Sequence, residues 1–273
     1  MNQIMKKYLL VVLSVSLYFT FFSCGGEKVS TDNDLKFELV KFEKKSEECD
    51  SLREDNCAKI KIEFPRITQF ENETVKNKIN NSIENLFSLN GKDSSGVVDF
   101  NSEMNTFIQD YDSFIKEFPD SYQAWFIERT GEVRLNKENI FSIDYMEYSY
   151  TGGAHSNTNI SFTNFNLNNG DEIKLSDIIS EVKQNDLTKI AEEEFRKLKN
   201  ITPDADLGQA GFWFENNKFY LNENFLIGDS SLVFYYNNYE ITAYAFGPTE
   251  LEISYQKIRD LIKENSIISN FIE

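Results

Sequence analysis

Apolar and polar positions change their spacing several times along the chain, and each change marks an element. Residues 35–45 hold Phe37, Leu39, Val40 and Phe42 in an imperfect alternation, while Ile60, Ile62 and Phe64 alternate strictly with Lys59, Lys61 and Glu63. Period two predicts half-buried strands, the second ending at Pro65. The spacing then becomes helical. Val75, Ile79, Ile83, Leu86 and Phe87 share one face of a helix over about 72–89, and Met104, Phe107, Ile108, Tyr111, Phe114, Ile115 and Phe118 share one face of another, capped by Ser102 and stopped by Pro119. Strands return at 125–135 and 140–150. In the latter, Phe141, Ile143 and Tyr145 have one parity and Met146, Tyr148 and Tyr150 the other, which predicts a β-bulge that re-aims the two later tyrosines. A strand over 159–167 ends at Asn168-Asn169-Gly170-Asp171. A helical region follows over 176–199, with a break near Asn185. Strands are then predicted at 219–225, 232–236, 241–246 and 251–255, and a terminal helix at 255–263.

Ahead of the first strand, Lys6 and Lys7 precede an apolar run over 8–22 that ends in Ser23-Cys24-Gly25-Gly26. Charge, a short apolar stretch and a small-residue processing site predict a signal peptide over 1–23 rather than a membrane-spanning helix. The ending is similar to a bacterial lipobox. That likeness implies lipidation of Cys24, attachment to the membrane through the lipid alone, and a polar tether over 24–34. Loss of 1–23 removes two lysines and no acid from a chain whose formal charge is already −17. Such a body is a poor match for nucleic-acid phosphates and favours neutral or cationic partners. Outside the cytoplasm the pair Cys49 and Cys57, set about an acidic turn, is expected to form a disulfide.

Candidate chemistry concentrates at residues 148–158, Tyr-Ser-Tyr-Thr-Gly-Gly-Ala-His-Ser-Asn-Thr, which contain the sole histidine. Gly152 and Gly153 mark a place where the backbone needs positive φ or close approach. Tyr148, Tyr150, Gly152, Gly153 and His155 therefore form either a tight hairpin turn or a recognition loop. A catalytic version places His155 as general base near Asp144, Glu147 or a loop serine. No nucleophile motif accompanies it. Residues 204–215 look like a calcium loop in outline, but Gln209 stands where the turn glycine is required, and no metal or cofactor is expected.

Tyr150-Thr151-Gly152-Gly153-Ala154-His155, with Leu232-Val233-Phe234-Tyr235-Tyr236, Tyr239-Glu240-Ile241, Tyr244-Ala245 and Gly247-Pro248-Thr249-Glu250, resembles the extracytoplasmic domain shared by RsiV-type anti-sigma factors and PdaC-type peptidoglycan deacetylases. The resemblance implies an α+β fold of antiparallel sheets with helices packed on them. It also implies two similar-sized subdomains, 35–137 (PdaC-like) and 138–273 (RsiV-like). It implies a place in the bacterial cell envelope, outside the cytoplasm. Neither the separate deacetylase domain nor the anti-sigma segment is expected, and one histidine cannot furnish a deacetylase metal site. The expected function is that of a non-enzymatic envelope lipoprotein binding a lysozyme-like cationic protein or a cell-wall glycan. The alternatives are a cell-wall hydrolase or deacetylase-like enzyme using His155, and a purely structural envelope component.

Overall fold

The computed structural model describes residues 33–50, 57–91, 96–121 and 123–272. The signal segment, Cys24 and all of the tether before Asn33 lie outside the described residues. The fold is α+β, built on two sheets. The larger contains β1 (Lys36–Lys45), β2 (Ala58–Gln69), β3 (Trp125–Thr130), β4 (Val133–Lys137), β5 (Ile140–Tyr150) and β6 (Asn157–Asn166). Its path is β1-β2-β3-β5-β4, with β6 on the other side of β5. Every pairing is antiparallel except β2 with β3, so the sheet is mixed. A parallel pair needs a crossover. Here the crossover contains α1 (Glu73–Phe87) and α2 (Phe100–Glu117).

Those two helices explain the first core. The side chain of Asn72 accepts from Val75 N at 3.2 Å, and that of Asp99 accepts from Ser102 N at 3.0 Å. Each cap satisfies a helix donor that would otherwise lack a partner. The second cap is thus Asp99 rather than Ser102. The predicted apolar faces pack down onto one side of the sheet: Val75, Ile79, Ile83 and Phe87 from α1, and Met104, Ile108 and Tyr111 from α2, against Ile60, Ile62, Phe64, Phe141 and Ile143. Phe64 lies 5.2 Å from Phe87 and 5.3 Å from Phe100 between ring centres. Each fully buried aromatic stabilises the fold by about 1.5–3 kcal/mol. Cys49 and Cys57 are joined as a disulfide, both buried, in the connection from the end of β1 to the start of β2.

Three details of this sheet differ from the period-based reading. β2 continues through Pro65, which pairs with Leu39 of β1. The parallel partner ends at Thr130 opposite Glu63, so on that side the strand has become an edge where a missing N–H costs nothing. The expected strand over 125–135 divides at Gly131, where an added Cβ would lie 2.5 Å from the Phe87 ring and 2.9 Å from the Asp144 carbonyl oxygen. Finally, β5 contains no bulge and pairs with β6 without interruption, Ile140↔Asn166 through Ser149↔Asn157. The register shift is in β4, between Val133 and Leu135. The change of apolar parity in β5 has another cause. The start of the strand is covered on both faces, with Phe141 and Ile143 in the first core and Ile140 in a second.

The second core gathers α4 (Glu181–Leu198), the small sheet β7 (Phe225–Ile227), β8 (Ser231–Tyr236) and β9 (Thr249–Ser254), and the short α3 (Leu175–Ile178) and α5 (Tyr255–Ile258). The break in the helical region falls at Ile179, not near Asn185. Ile179 is extended and bridges Ile262, and Asn185 lies inside α4. Of the strand expected over 219–225 only the end is regular, as the start of β7. In place of a strand over 241–246 there is one bridge, Thr242 to Phe212, and a 3-10 turn at Tyr244–Phe246. The terminal helix is one turn of α5 followed by 3-10 backbone at Arg259–Leu261. No described helix is long and apolar enough to cross a membrane.

The two sheets are joined by asparagine side chains rather than by a shared strand. Along the outer edge of β6, Asn237 accepts from Ile160 N at 2.7 Å and donates to Ile160 O at 2.9 Å. Asn224 accepts from Phe162 N and also donates to Ile160 O, each at 2.9 Å. In the other direction buried Asn164 donates to Phe225 O and accepts from Ile227 N, both at 2.9 Å, while taking a bond from Ser142 Oγ at 2.7 Å. A primary amide presents the same donor and acceptor pair as a peptide unit. These side chains therefore occupy the edge that a seventh strand would cover. Residues 137 and 138, between which the two subdomains are expected to meet, lie at the β4–β5 hairpin turn inside the larger sheet, where Glu138 and Asn139 both have positive φ.

Candidate functional site

The β5–β6 hairpin ends in the loop 151–156. Gly152 and Gly153 have φ of 118° and 110°, values that L side chains rarely adopt. A Cβ on Gly152 would also meet the Gln123 amide at 2.9 Å. Tyr150 hydroxyl donates to Gly153 O at 2.9 Å and holds the turn from below. This geometry carries His155 outward. Its Nδ1 lies 3.0 Å from the Ser156 carbonyl oxygen, which can only accept, so Nδ1 holds the proton in the neutral ring. Nε2 is then the acceptor for the Tyr239 hydroxyl, 3.2 Å away.

Tyr239 and a second ring, Tyr244, come from the connection between β8 and β9. The His155 ring stacks on Tyr244 at 4.6 Å with 20° between planes, and Tyr239 lies 5.5 Å from Tyr244. The asparagine clasp holds the two loops together, because Asn237 is bonded to Ile160 two residues before Tyr239. Glu240 secures the same turn, accepting from Asn237 N at 2.8 Å and from Asn222 Nδ2 at 2.7 Å. Tyr239 itself has φ of 65°, a costly conformation for a bulky residue. The result is an aromatic surface open to solvent, with Tyr239 51%, Tyr244 40% and nearby Phe246 69% exposed.

The five residues singled out from the sequence fall into two groups. His155, Gly152 and Gly153 belong to this tip. Tyr148 and Tyr150 stand lower on the hairpin, stacked on Phe126 of β3 at 4.9 and 5.7 Å. The tip partners Tyr239 and Tyr244 are legible in the sequence only as parts of a second motif. Nothing in residue spacing shows that this motif returns to His155.

The residues proposed to orient a catalytic His155 are committed elsewhere. Glu147 accepts from Arg129 Nε at 2.8 Å, from Tyr145 hydroxyl at 2.9 Å and from Ser149 Oγ at 3.2 Å. Arg129 extends that network to the Phe87 and Ser88 carbonyls at the C-terminus of α1. Burial holds the Tyr145 hydroxyl well above the usual tyrosine range, so it remains a donor. Asp144 accepts from Glu132 N at 2.7 Å and faces Arg134 at 3.5 Å. Burial raises its pKa, partly offset by those two contacts. Among the described residues the hydrogen-bond partners of His155 are a carbonyl and a phenol, and Asp144 and Glu147 are bonded to other groups. Among the described residues no group of three or more His, Cys, Asp or Glu side chains is placed to hold a metal ion.

With this geometry established, comparison with known proteins gives a consistent answer. Residues 52–158 match the family model described as Deacetylase PdaC, and residues 176–256 match the model described as Protein of unknown function (DUF3298). The chain is 26% identical over 175 residues to the peptidoglycan-N-acetylmuramic acid deacetylase PdaC of Bacillus subtilis (strain 168). That match covers 57% of this chain and only 37% of the relative. A crystal structure of a DUF3298 family member from Bacteroides fragilis NCTC 9343 has the same fold, with a TM-score of 0.74 at 20% identity over 89% of this chain and 99% of that one. Another, from Pseudomonas aeruginosa PAO1, gives 0.61 at 18% identity over 86% and 97%. Two family models in sequence order lead to one assignment: the chain carries a PdaC match followed by a DUF3298 match, on the fold shared by the two DUF3298 structures.

Proposed function

We propose that this protein is a non-enzymatic binding module of the cell envelope, anchored through a lipid on Cys24, whose contact surface is the hairpin tip and the β8–β9 connection. The observation that carries the reading is the stack of His155 on Tyr244, with Tyr239 bonded to the same ring. Two loops remote in sequence are held in one exposed aromatic surface, and among the described residues no carboxylate is hydrogen-bonded to the histidine. Tyrosines of this kind are over-represented among residues that dominate binding energy. The partner we assign is a lysozyme-like cationic protein, because a chain of net charge −17 attracts it at long range. The name of the Bacillus subtilis relative supports a second ligand for the same tip, a cell-wall glycan.

Calorimetric titration of the purified protein with lysozyme, and separately with muropeptides, tests both. Lysozyme binding is expected at low ionic strength and is expected to weaken at about 1 M salt, where the Debye length falls to about 3 Å. Heat from neither titrant would remove the proposal. For the anchor, metabolic labelling with a fatty acid is expected to mark the wild type and not Cys24→Ala. Equal labelling would contradict it.

A further inference from the structure

A second surface lies on the face of the large sheet opposite the helices. Residues of β1 and β2 alternate between that face and the core, so Lys41, Glu43 and Lys45 share it with Lys59, Lys61 and Glu63, their partners in register. Continuing across the sheet, Lys59 is opposite Phe126 and Lys61 opposite Glu128, and these in turn are opposite Tyr150 and Tyr148. Register alone therefore sets a row of lysines beside a row of rings. The open groove between them, about 550 Å³, includes Lys45, Lys59, Lys61, Phe126, Glu128 and Tyr148 in its lining. Its size is within the ordinary range for small-ligand sites.

The charges in this groove are not equivalent. Lys61 is answered by Glu128 at 2.9 Å and by Glu63 at 3.8 Å. Lys59 meets no carboxylate among the described residues. Tyr148, backed by Phe126, is 38% exposed. The buried disulfide Cys49–Cys57 lies beside the groove, with Cys49 in its lining. In a chain this acidic, an uncompensated ammonium and an exposed aromatic ring set on either side of Phe126 are a matched pair of recognition elements. The ring suits the apolar face of a pyranose, the ammonium suits a carboxylate, and Glu128 can accept from a hydroxyl.

We infer that this groove is a binding site for an acidic glycan, a pyranoside bearing a carboxylate, with its ring against Tyr148 and its carboxylate against Lys59. The site is separate from the His155 tip and does not depend on what occupies the tip.

Amide chemical-shift titration of the purified protein with two matched sugar pairs tests it: N-acetylmuramic acid against N-acetylglucosamine, and glucuronic acid against glucose. Each pair has one member with a carboxylate and one without. The acidic member is expected to bind about two- to fivefold more tightly, the range of one exposed ion pair, with shifts centred on residues 59–61, 126–128 and 148. Lys59→Gln is expected to abolish the difference within each pair, and Tyr148→Ala to weaken both members. Tyr244→Ala, at the tip, is expected to leave the sugar-induced shifts at residues 59–61, 126–128 and 148 unchanged, which separates this site from the surface proposed at the tip. Equal binding within each pair would overturn the inference. So would shifts centred elsewhere, or unchanged affinity in a Tyr148→Ala protein of normal circular dichroism.

Discussion

One hairpin carries two sets of rings, and the chain supports them by different means. At its base, Tyr148 and Tyr150 rest on Phe126 because β5 and β3 are neighbours in register. Ladder hydrogen bonds set that arrangement, and the Tyr150 hydroxyl adds one bond to Gly153 O. At its tip, His155 meets Tyr239 across 84 residues of sequence, and no ladder joins them. There the positions depend on asparagine amides along β6, on two glycines at positive φ, and on a tyrosine held in an unfavourable backbone conformation. The base is thus rigid as a consequence of the fold. The tip is assembled, and single substitutions can disassemble it.

The largest effect is expected where the two sheets are clasped. Asn164→Leu leaves Phe225 O, Ile227 N and Ser142 Oγ without their partner in a buried place. Unsatisfied buried groups cost about 1–3 kcal/mol each, so a loss of about 3–5 kcal/mol is expected. Thermal denaturation should register it as a fall in Tm of roughly 8–15 °C for a protein of this size.

Asn237→Ala acts nearer the tip. It removes two bonds to the Ile160 backbone and is expected to cost about 2 kcal/mol. It should also release the β8–β9 connection from His155, so that partner affinity falls while the Phe126 stack, followed by chemical shifts, does not move. Loss of both ring sets together would show that base and tip are not independent.

Tyr239→Gly separates stability from binding. Glycine accepts φ near 65° without the penalty of about 1 kcal/mol or more that other residues carry there, so Tm is expected to hold or rise slightly. Affinity for the partner should fall about tenfold, since an interface tyrosine is removed. A clear drop in Tm would mean that the ring is needed for folding rather than for contact.

The smallest effect concerns Asp144. Its pKa in the folded protein is raised, chiefly by burial, so the folded state binds its proton more tightly than the unfolded chain does. The stability this contributes is complete below the ordinary aspartate range and is lost as pH rises through the raised value. Asp144→Asn, which keeps the acceptor for Glu132 N, is expected to flatten that part of the stability profile in urea titrations at several pH values. It should leave the His155 tip and its partner affinity unchanged, because Asp144 has no contact there.

How much of this could be read from residues alone follows the same division. The three-and-four spacing of α1 and α2 and the strict alternation of β2 and β9 are properties of single segments, and they were legible. Pro65, Gly131 and the parity change in β5 were misleading for one reason. Each depends on which neighbour covers a strand, and that is decided by tertiary packing. The clasp was illegible because Asn224 and Asn237 have the composition of turns, whereas their amides serve as strand edges. For the candidate site, the sequence marked the 148–158 loop and its histidine. It also grouped Tyr148 and Tyr150 with them, since closeness along a strand says nothing about the 239–246 segment that supplies the rings His155 actually touches.

Hydrogen exchange of the purified protein with and without lysozyme tests the central claim most directly. The account predicts new protection in residues 151–156 and 237–247 together, with none in α1 or α2. Protection confined to other segments, or absent from both loops at saturating lysozyme, would contradict it.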